Sequence, residues 1–266
     1  MQDMIAFERV LLTNDDGIDA PGLAVLERVA GRIAREVWVV APEHDRSGVS
    51  HALSLHAPLR VSERGERRFA VSGTPGDCVV MGLRRLMAGA VPQLVLSGVN
   101  RGGNLGIETV FSGTVGAAMT GMLLGIPSIA LSQAFSDRRR VPWSTAESLA
   151  PGLIRTLARL DWSRSACLNV NFPACLPEEA GPPMLTRQGA GLLDGADIST
   201  RTDPRQLDYH WLELKRDPKP DLPGSETAAL AARRIAVTPL HFERTDEACF
   251  ERISDSFARS LGDVPG

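Results

Sequence analysis

The chain has 266 residues, 43% of them hydrophobic and 23% charged, and a formal net charge of −3. That length can bury the core of one large α/β domain with a smaller appendage, and the composition excludes general disorder. The charge balance excludes a broad basic surface for nucleic-acid duplexes, and the short run Arg138-Arg139-Arg140 reads as a solvated loop.

Val10-Leu11-Leu12 is a short apolar run ended by Asn14-Asp15-Asp16-Gly17, which predicts a buried strand with two acids at its carboxyl end. Pro21 then opens a helix carrying Leu23, Leu26, Val29 and Ile33 at helical spacing, and Val37 to Ala41 forms a second strand stopped by Pro42. Leu59 to Val61 and Phe69 to Val71 are expected to pair as a hairpin across Glu63 to Arg68. Thr74-Pro75-Gly76-Asp77 is a helix entry, with Thr as N-cap and an acid in the first turn, and Val80, Leu83 and Met87 are expected to face inward.

Leu94-Val95-Leu96 is the next core strand, followed by a polar loop from Ser97 to Gly106. Ser112-Gly113-Thr114 precedes a helix of small residues from Val115 to Leu124. Ile129 to Leu131 is a strand and Ser144 to Leu160 a helix. After Leu168-Asn169-Val170-Asn171 the chain becomes rich in Pro, Gly and Asp from 176 to 224. Strands are predicted at Leu207 to Leu214 and Ile235 to Val237, with a closing helix from Asp246 to Leu261. This order predicts a three-layer α/β/α fold with a mainly parallel, Rossmann-like sheet over about residues 8–175, and a smaller, irregular C-terminal part with a hairpin and terminal helix over about 176–266, all in one domain.

The cysteines at 78, 167, 175 and 249 form no CxxC pair, which points to a reducing compartment and against zinc. Met1 to Arg9 lacks the basic start and apolar stretch of a secretory signal. Ala117 to Leu131 is interrupted by Thr120, Gly121, Gly125, Pro127 and Ser128 and falls short of the ~20 residues of a membrane helix. The expectation is a cytoplasmic protein that does not enter a membrane.

Four loops that follow strands carry chemistry: Asn14-Asp15-Asp16, Arg46-Ser47-Gly48, Asn100 to Asn104, and Ser112-Gly113-Thr114. In a parallel sheet such loops emerge on one edge. Adjacent carboxylates repel unless they share a cation, and the residues on offer supply oxygen alone, which suits Mg²⁺ or Mn²⁺. The start of a helix at Ser112 to Thr114 suits an anion, since its first N–H groups lack partners.

Leu12 to Gly17, Ala41-Pro42, Arg46-Ser47-Gly48, Gly73-Thr74-Pro75 with Asp77-Cys78, Ser97 to Asn100, Gly103 to Gly106 and Ser112 to Val115 together resemble the SurE family of metal-dependent 5′/3′-nucleotidases, also called survival proteins or acid phosphatases. Similarity resumes at Asn169-Val170-Asn171, Asp203-Pro204-Arg205 and Val237 to Leu240. The resemblance implies one divalent ion held by Asp15, Asp16, Ser47 and Asn100, with Asn104, Ser112, Gly113 and Thr114 lining a phosphate pocket that Asn14 and Gly48 complete. It further implies hydrolysis of nucleoside monophosphates by an activated water, Asp15 or Asp16 assisting, with 3′-nucleotidase and exopolyphosphatase activity known in the family. C-terminal exchange between subunits, from about residue 200 to 266, is expected to build a dimer or a tetramer. Gly76, Glu108, Thr120 and Ser225-Glu226 stand where the family more often has Ala, Asp, Glu and Thr-Asp.

Among the histidines at 44, 51, 56, 210 and 241, His51 is nearest in sequence to Ser47 as a candidate general acid. Two further functions fit the same residues: a phosphatase for another monoester, and a nucleotide sensor without turnover. An aspartyl-phosphate enzyme fits less well because Asp15 and Asp16 are adjacent, whereas that chemistry uses Asp-x-Asp. A serine hydrolase lacks its Gly-x-Ser-x-Gly elbow.

Overall fold

The computed structural model describes residues 5–162, 166–216 and 222–262. The first residues of the Met1 to Arg9 stretch and part of the Pro/Gly/Asp-rich stretch, at 217–221, lie outside them. The strands of the large sheet are β1 (Phe7–Thr13), β2 (Ala34–Pro42), β3 (Val61–Gly65), β4 (Arg68–Val71), β5 (Leu94–Arg101), β6 (Ser128–Gln133), β7 (Cys167–Phe172), β8 (Gly181–Leu185) and, last in the chain, Arg234–Leu240, which is β11. The helices are α1 (Pro21–Gly31), α2 (Pro75–Met81), α3 (Gly113–Leu123), α4 (Trp143–Leu157), α5 (Glu226–Ala231) and α6 (Glu247–Gly262). β9 (Leu193–Thr202) and β10 (Asp208–Arg216) form a separate antiparallel ribbon.

The sheet runs β3-β4-β2-β1-β5-β6-β7-β11-β8. The stretch from β4 to β7 is parallel throughout, while β3 pairs antiparallel with β4, β11 antiparallel with β7, and β8 parallel with β11. Alternation along β1 divides the core: Val10 and Leu12 pack with Leu23, Leu26 and Ile154 from α1 and α4, and Leu11 packs with Val79 and Ala117 from α2 and α3. Both leucines are fully buried, each contributing about 1.5–3 kcal/mol of apolar transfer. Helices therefore cover both faces, as the alternation of elements predicts.

Several boundaries differ from the sequence expectation, each for a physical reason. β5 continues past Leu96 to Arg101 through an irregularity between Ser97 and Asn100, so the polar segment read as loop is partly strand, and Asn100 lies opposite Ser132. At α2 the expected capping box forms, with Thr74 accepting from Asp77 N–H and Asp77 from Thr74 N–H. The helix then widens into a π turn over Gly82–Leu86, which shifts the inward phase: Cys78, Val79 and Met87 are buried, while Val80 is half-buried. α4 ends at Leu157. β8 carries Pro182 and Pro183, which argue against a central strand and are tolerated because β8 is the sheet's edge. β9 is polar and exposed, so it carries no apolar alternation to read.

Candidate functional site

Chain direction across the sheet reverses between β1 and β5: from β1 the next strand is β2 on one side, whereas β5 leads on to β6 on the other. Such a switch point opens a crevice at the carboxyl ends of the strands. Asn14-Asp15-Asp16 leaves β1 directly into it, and the end of β5 lies alongside, its Arg101 N–H donating to Asp16 Oδ2 at 3.4 Å. The loop after β2 folds over the same place, where Arg46 N–H donates to the Asp15 carbonyl at 2.7 Å and Ile18 N–H to that of Pro42 at 2.8 Å. α3 closes the remaining side, with Thr114 Oγ1 donating to Asp15 Oδ1 at 2.5 Å. A Cβ on Gly113 would fall 2.7 Å from Asp15 Cβ, so glycine is what lets the helix approach this closely.

Asp15 is only 5% exposed, and burial pushes its carboxyl up to about 6 against the opposing pull of the Thr114 hydroxyl, with Asp16 and Asp45 adding repulsion. Burial also raises Asp16, and the Arg101 N–H opposes the shift. Among the described residues no ion pair reaches either acid. The side chains of Arg101 and Arg138 act on Asp16 only through space, and two desolvated carboxylates with no ion-pair contact form a site suited to a metal ion.

The neighbouring groups complete an oxygen set. Ser47 donates its hydroxyl to Asp45 Oδ1 at 2.6 Å, which keeps the oxygen lone pairs free. Asn100 spends Nδ2 on the Gly102 carbonyl at 3.0 Å, leaving Oδ1 as its acceptor end. Asn14 spends Nδ2 on the Gly17 carbonyl at 2.8 Å, and its Oδ1 is buried without a protein partner, as are Thr13 Oγ1 and Ser97 Oγ on facing rungs of β1 and β5. Such orphaned oxygens at the same edge fit a hard divalent cation and its water shell.

No cluster of three or more His, Cys, Asp and Glu side chains suited to a metal occurs among the described residues. Burial also pushes the Cys78 and Cys167 thiols up, the latter to about 12, which disfavours metal-binding thiolates.

At the start of α3, Ser112 Oγ caps the helix by accepting from Val115 N–H at 3.1 Å, and the N–H groups of Gly113 and Thr114 have no carbonyl one turn earlier. The arrangement is chemically able to receive an anion. The Ser112 oxygen serves as cap, its N–H donates to the Thr109 carbonyl at 3.2 Å, and the Thr114 hydroxyl orients Asp15, so the backbone N–H groups of Gly113 and Thr114 and the remaining Ser112 hydroxyl proton are the donors left for an anion. Gly48 is exposed, with φ +76°, on the turn after Ser47.

Asn104 is held from several directions: its N–H donates to Asn171 Oδ1 at 2.8 Å, its Nδ2 to Ser132 Oγ at 2.9 Å, and its carbonyl accepts from Asn169 at 2.8 Å and Asn171 at 3.1 Å. Asn169 and Asn171 are thus positioning residues that a reading of single residues misses. The available signal was two amides at period two on β7, a strand otherwise apolar and wholly buried. His51 does not join the acids: Nε2 meets Met119 Sδ at 3.1 Å, Nδ1 meets Ser50 Oγ at 3.3 Å, and the ring lies edge-on to Phe242. It lines a separate cleft of about 880 Å³ beside Met119, Arg187 and Arg244.

The sequence matches the family model described as survival protein SurE over residues 10–194. The chain belongs to the SurE family. A SurE relative called 5′-nucleotidase SurE 1, from Burkholderia lata, is 61% identical over 94% of this chain and 96% of its own length. A 5′-nucleotidase SurE from Rhodopseudomonas palustris is 48% identical over 96% of this chain and all of its own. Among solved structures, a SurE protein from Aquifex aeolicus superposes with a TM-score of 0.79 at 32% identity, covering 92% of this chain and 98% of that one. SurE similarity therefore extends past residue 194 into the C-terminal part.

Proposed function

We propose that this chain is a divalent-metal-dependent phosphomonoesterase that hydrolyses nucleoside 5′-monophosphates to nucleoside and phosphate. The observation that carries this reading is the meeting of Asp15 and Asp16 with the start of α3, through the Thr114 to Asp15 hydrogen bond. A cation site and an anion seat thereby share one crevice. The names of the relatives, 5′-nucleotidases at 61% and 48% identity, supply the substrate class.

In this reading Asp15, Asp16, Ser47 and Asn100 hold one Mg²⁺ or Mn²⁺, which when bound supplies Lewis acidity toward a phosphate oxygen and toward an attacking water. Asn14 and Gly48 border the substrate. The N–H groups of Gly113 and Thr114, with Ser112 and Asn104, bind the equatorial phosphoryl oxygens where charge is concentrated during transfer. Thr114 fixes the Asp15 carboxylate, and the Asn169–Asn171 pair fixes the Asn104 backbone. A cytoplasmic location accords with the free cysteines and with the finding that, among the described residues, no helix is long and apolar enough to cross a membrane.

The same reading includes a homodimer or dimer of dimers built by the C-terminal part. The β9–β10 ribbon exposes Trp211 (58%) and Leu212 (66%), and α6 exposes Phe250 (59%), Ile253 (50%) and Phe257 (64%) along one face. Apolar area of that kind is covered in stable proteins, and a second copy of the chain is the partner proposed.

Two experiments test the proposal. The protein is stripped of metal and assayed for phosphate release from AMP and other monophosphates with Mg²⁺, Mn²⁺ and neither. Metal-dependent release supports an enzyme, whereas nucleotide binding without release supports a sensor. Light scattering showing an active monomer at micromolar concentration would overturn the assembly.

A further inference from the structure

We infer that Glu226, from the C-terminal part, is a positioning residue for the phosphate seat, acting on the turn that delivers Ser112 to Thr114. This rests on the reading of that seat given above. Glu226 is fully buried, yet no ion pair reaches it among the described residues. Its two carboxylate oxygens accept one backbone donor each: Oε1 from Gly106 N–H at 2.6 Å and Oε2 from Gly189 N–H at 2.7 Å. A carboxylate shared between two N–H groups of separate segments is a short, charge-assisted clamp.

What it clamps is the 3₁₀ turn Gly106–Phe111, which ends at Ser112, the cap of α3. Further contacts of the turn come from the same C-terminal segment, while at its far end Ser50 N–H donates to the Phe111 carbonyl at 3.1 Å and Ser50 Oγ to that of Val110 at 2.5 Å. Gln188 Nε2 donates to the Gly106 carbonyl at 2.7 Å and to Thr109 Oγ1 at 2.9 Å. Glu108 accepts from Leu192 N–H at 2.9 Å and from Arg216 Nε, at the end of β10, at 3.0 Å. Gly106 has φ +55°, and a Cβ there would lie 2.1 Å from Gly191 N, so the two segments meet backbone to backbone. On the other flank Asn104 is pinned to β6 and β7. The start of the segment leading into the anion seat is therefore fixed on both sides, at Asn104 by β6 and β7 and at Gly106 by the buried Glu226.

Replacing Glu226 by Gln removes one acceptor and points an amide N–H₂ at a backbone N–H, opening one half of the clamp while keeping side-chain volume. The expected result for E226Q is a rise of about tenfold or more in both the KM for AMP and the inhibition constant of inorganic phosphate, as α3 loses register with the phosphate. In the metal-free protein, hydrogen exchange at Gly106 is expected to accelerate relative to wild type. A purely structural role would lower the melting temperature and the active fraction and leave KM and the phosphate constant unchanged. That outcome in a folded E226Q protein overturns the inference, as does unchanged exchange at Gly106.

If E226Q does not fold, Q188M carries the test, because Gln188 is exposed and Met keeps its length without its donors. A rise of about threefold in the same two constants is expected, and wild-type values overturn the inference. Should wild-type protein neither release phosphate from AMP nor bind phosphate, the nucleotidase reading fails, while the exchange measurement still decides whether Glu226 holds the turn.

Discussion

Replacing Gly113 by Ala is the sharpest perturbation of the crevice, because nothing in the backbone forbids it. Gly113 begins α3 with ordinary helical geometry, so alanine brings no φ penalty, and the cost is steric. Its Cβ would stand 2.7 Å from Asp15 Cβ, 3.1 Å from Asp15 Oδ2 and 3.2 Å from Pro75 Cγ. Carbon atoms are comfortable at about 3.5–4.0 Å, so Asp15 or the helix must retreat by about 1 Å, and Pro75 blocks the retreat on its side. Overpacking of this kind costs about 1–3 kcal/mol, and a 1 Å misplacement near reacting atoms costs about 100-fold in rate. The room that glycine leaves at position 113 is taken up by Asp15, and phosphate approach is the alternative cause of any loss. The two causes separate in the assay: steady-state kinetics with AMP across a Mn²⁺ titration should show kcat/KM falling about 100-fold together with weakened apparent metal affinity. A raised KM at unchanged metal affinity would return the cause to phosphate approach, and wild-type constants in folded G113A would refute the steric argument itself.

Asp15→Asn and Asp16→Asn should each lower turnover by more than about 100-fold with far-UV circular dichroism unchanged, since each keeps volume and Asn at 15 still accepts from Thr114; near-normal rates in either would return the pair to an ordinary turn. Thr114→Val removes the hydroxyl that orients Asp15, and metal affinity measured by calorimetry should weaken about 10- to 100-fold, an unchanged affinity showing that the bond is incidental. Activity is expected to vanish in excess chelator and to return with Mn²⁺ or Mg²⁺; full rates after verified metal removal would contradict the oxygen-only cation site. Asn171→Leu should lower kcat/KM by about tenfold through loss of the Asn104 tether, and this is checked against a melting curve to separate it from unfolding.

The strand–helix alternation of the core was legible because Val10 to Leu12, Val37 to Ala41 and Ile129 to Leu131 are apolar runs with clear stops, and because Pro21 and Thr74-Pro75 mark helix starts by known cap chemistry. Asp15 and Asp16 could be placed at a strand end for the same reason. Their union with Ser47, Asn100 and Thr114 depends on parallel strand order, which periodicity suggests but does not contain. The extension of β5 through Ser97 to Arg101 was hidden since Gly98 and polar neighbours imitate a loop. The roles of Asn169, Asn171 and Glu226 were hidden because each is a long-range hydrogen bond, spanning 65, 67 and 120 residues, and no local pattern encodes such a distance. The exposed β9 was missed because an unburied strand has no reason to alternate. Polar residues with no local explanation, such as the two amides on buried β7, were the usable trace of the rest.

The geometry also bears on which atom attacks phosphorus. An aspartyl-phosphate route needs one carboxylate free to attack and a second acid two positions along to protonate the leaving group. Two positions after Asp15 stands Gly17, and the next acid, Asp19, is 84% exposed and turned toward Arg68 at 3.7 Å, outside the crevice. Asp15 itself has one oxygen occupied by Thr114 and is packed against Gly113, so it cannot advance along a line of attack without breaking the contact that holds α3. Asp16 is the less buried of the two but is tied to the β5 backbone through Arg101 N–H. Both carboxylates are thus held still, which suits groups that organise a cation and orient a water and is unsuited to a nucleophile that must move to form a covalent bond. That arrangement supports water as the attacking oxygen in the proposed reaction, with the start of α3 meeting the phosphoryl charge.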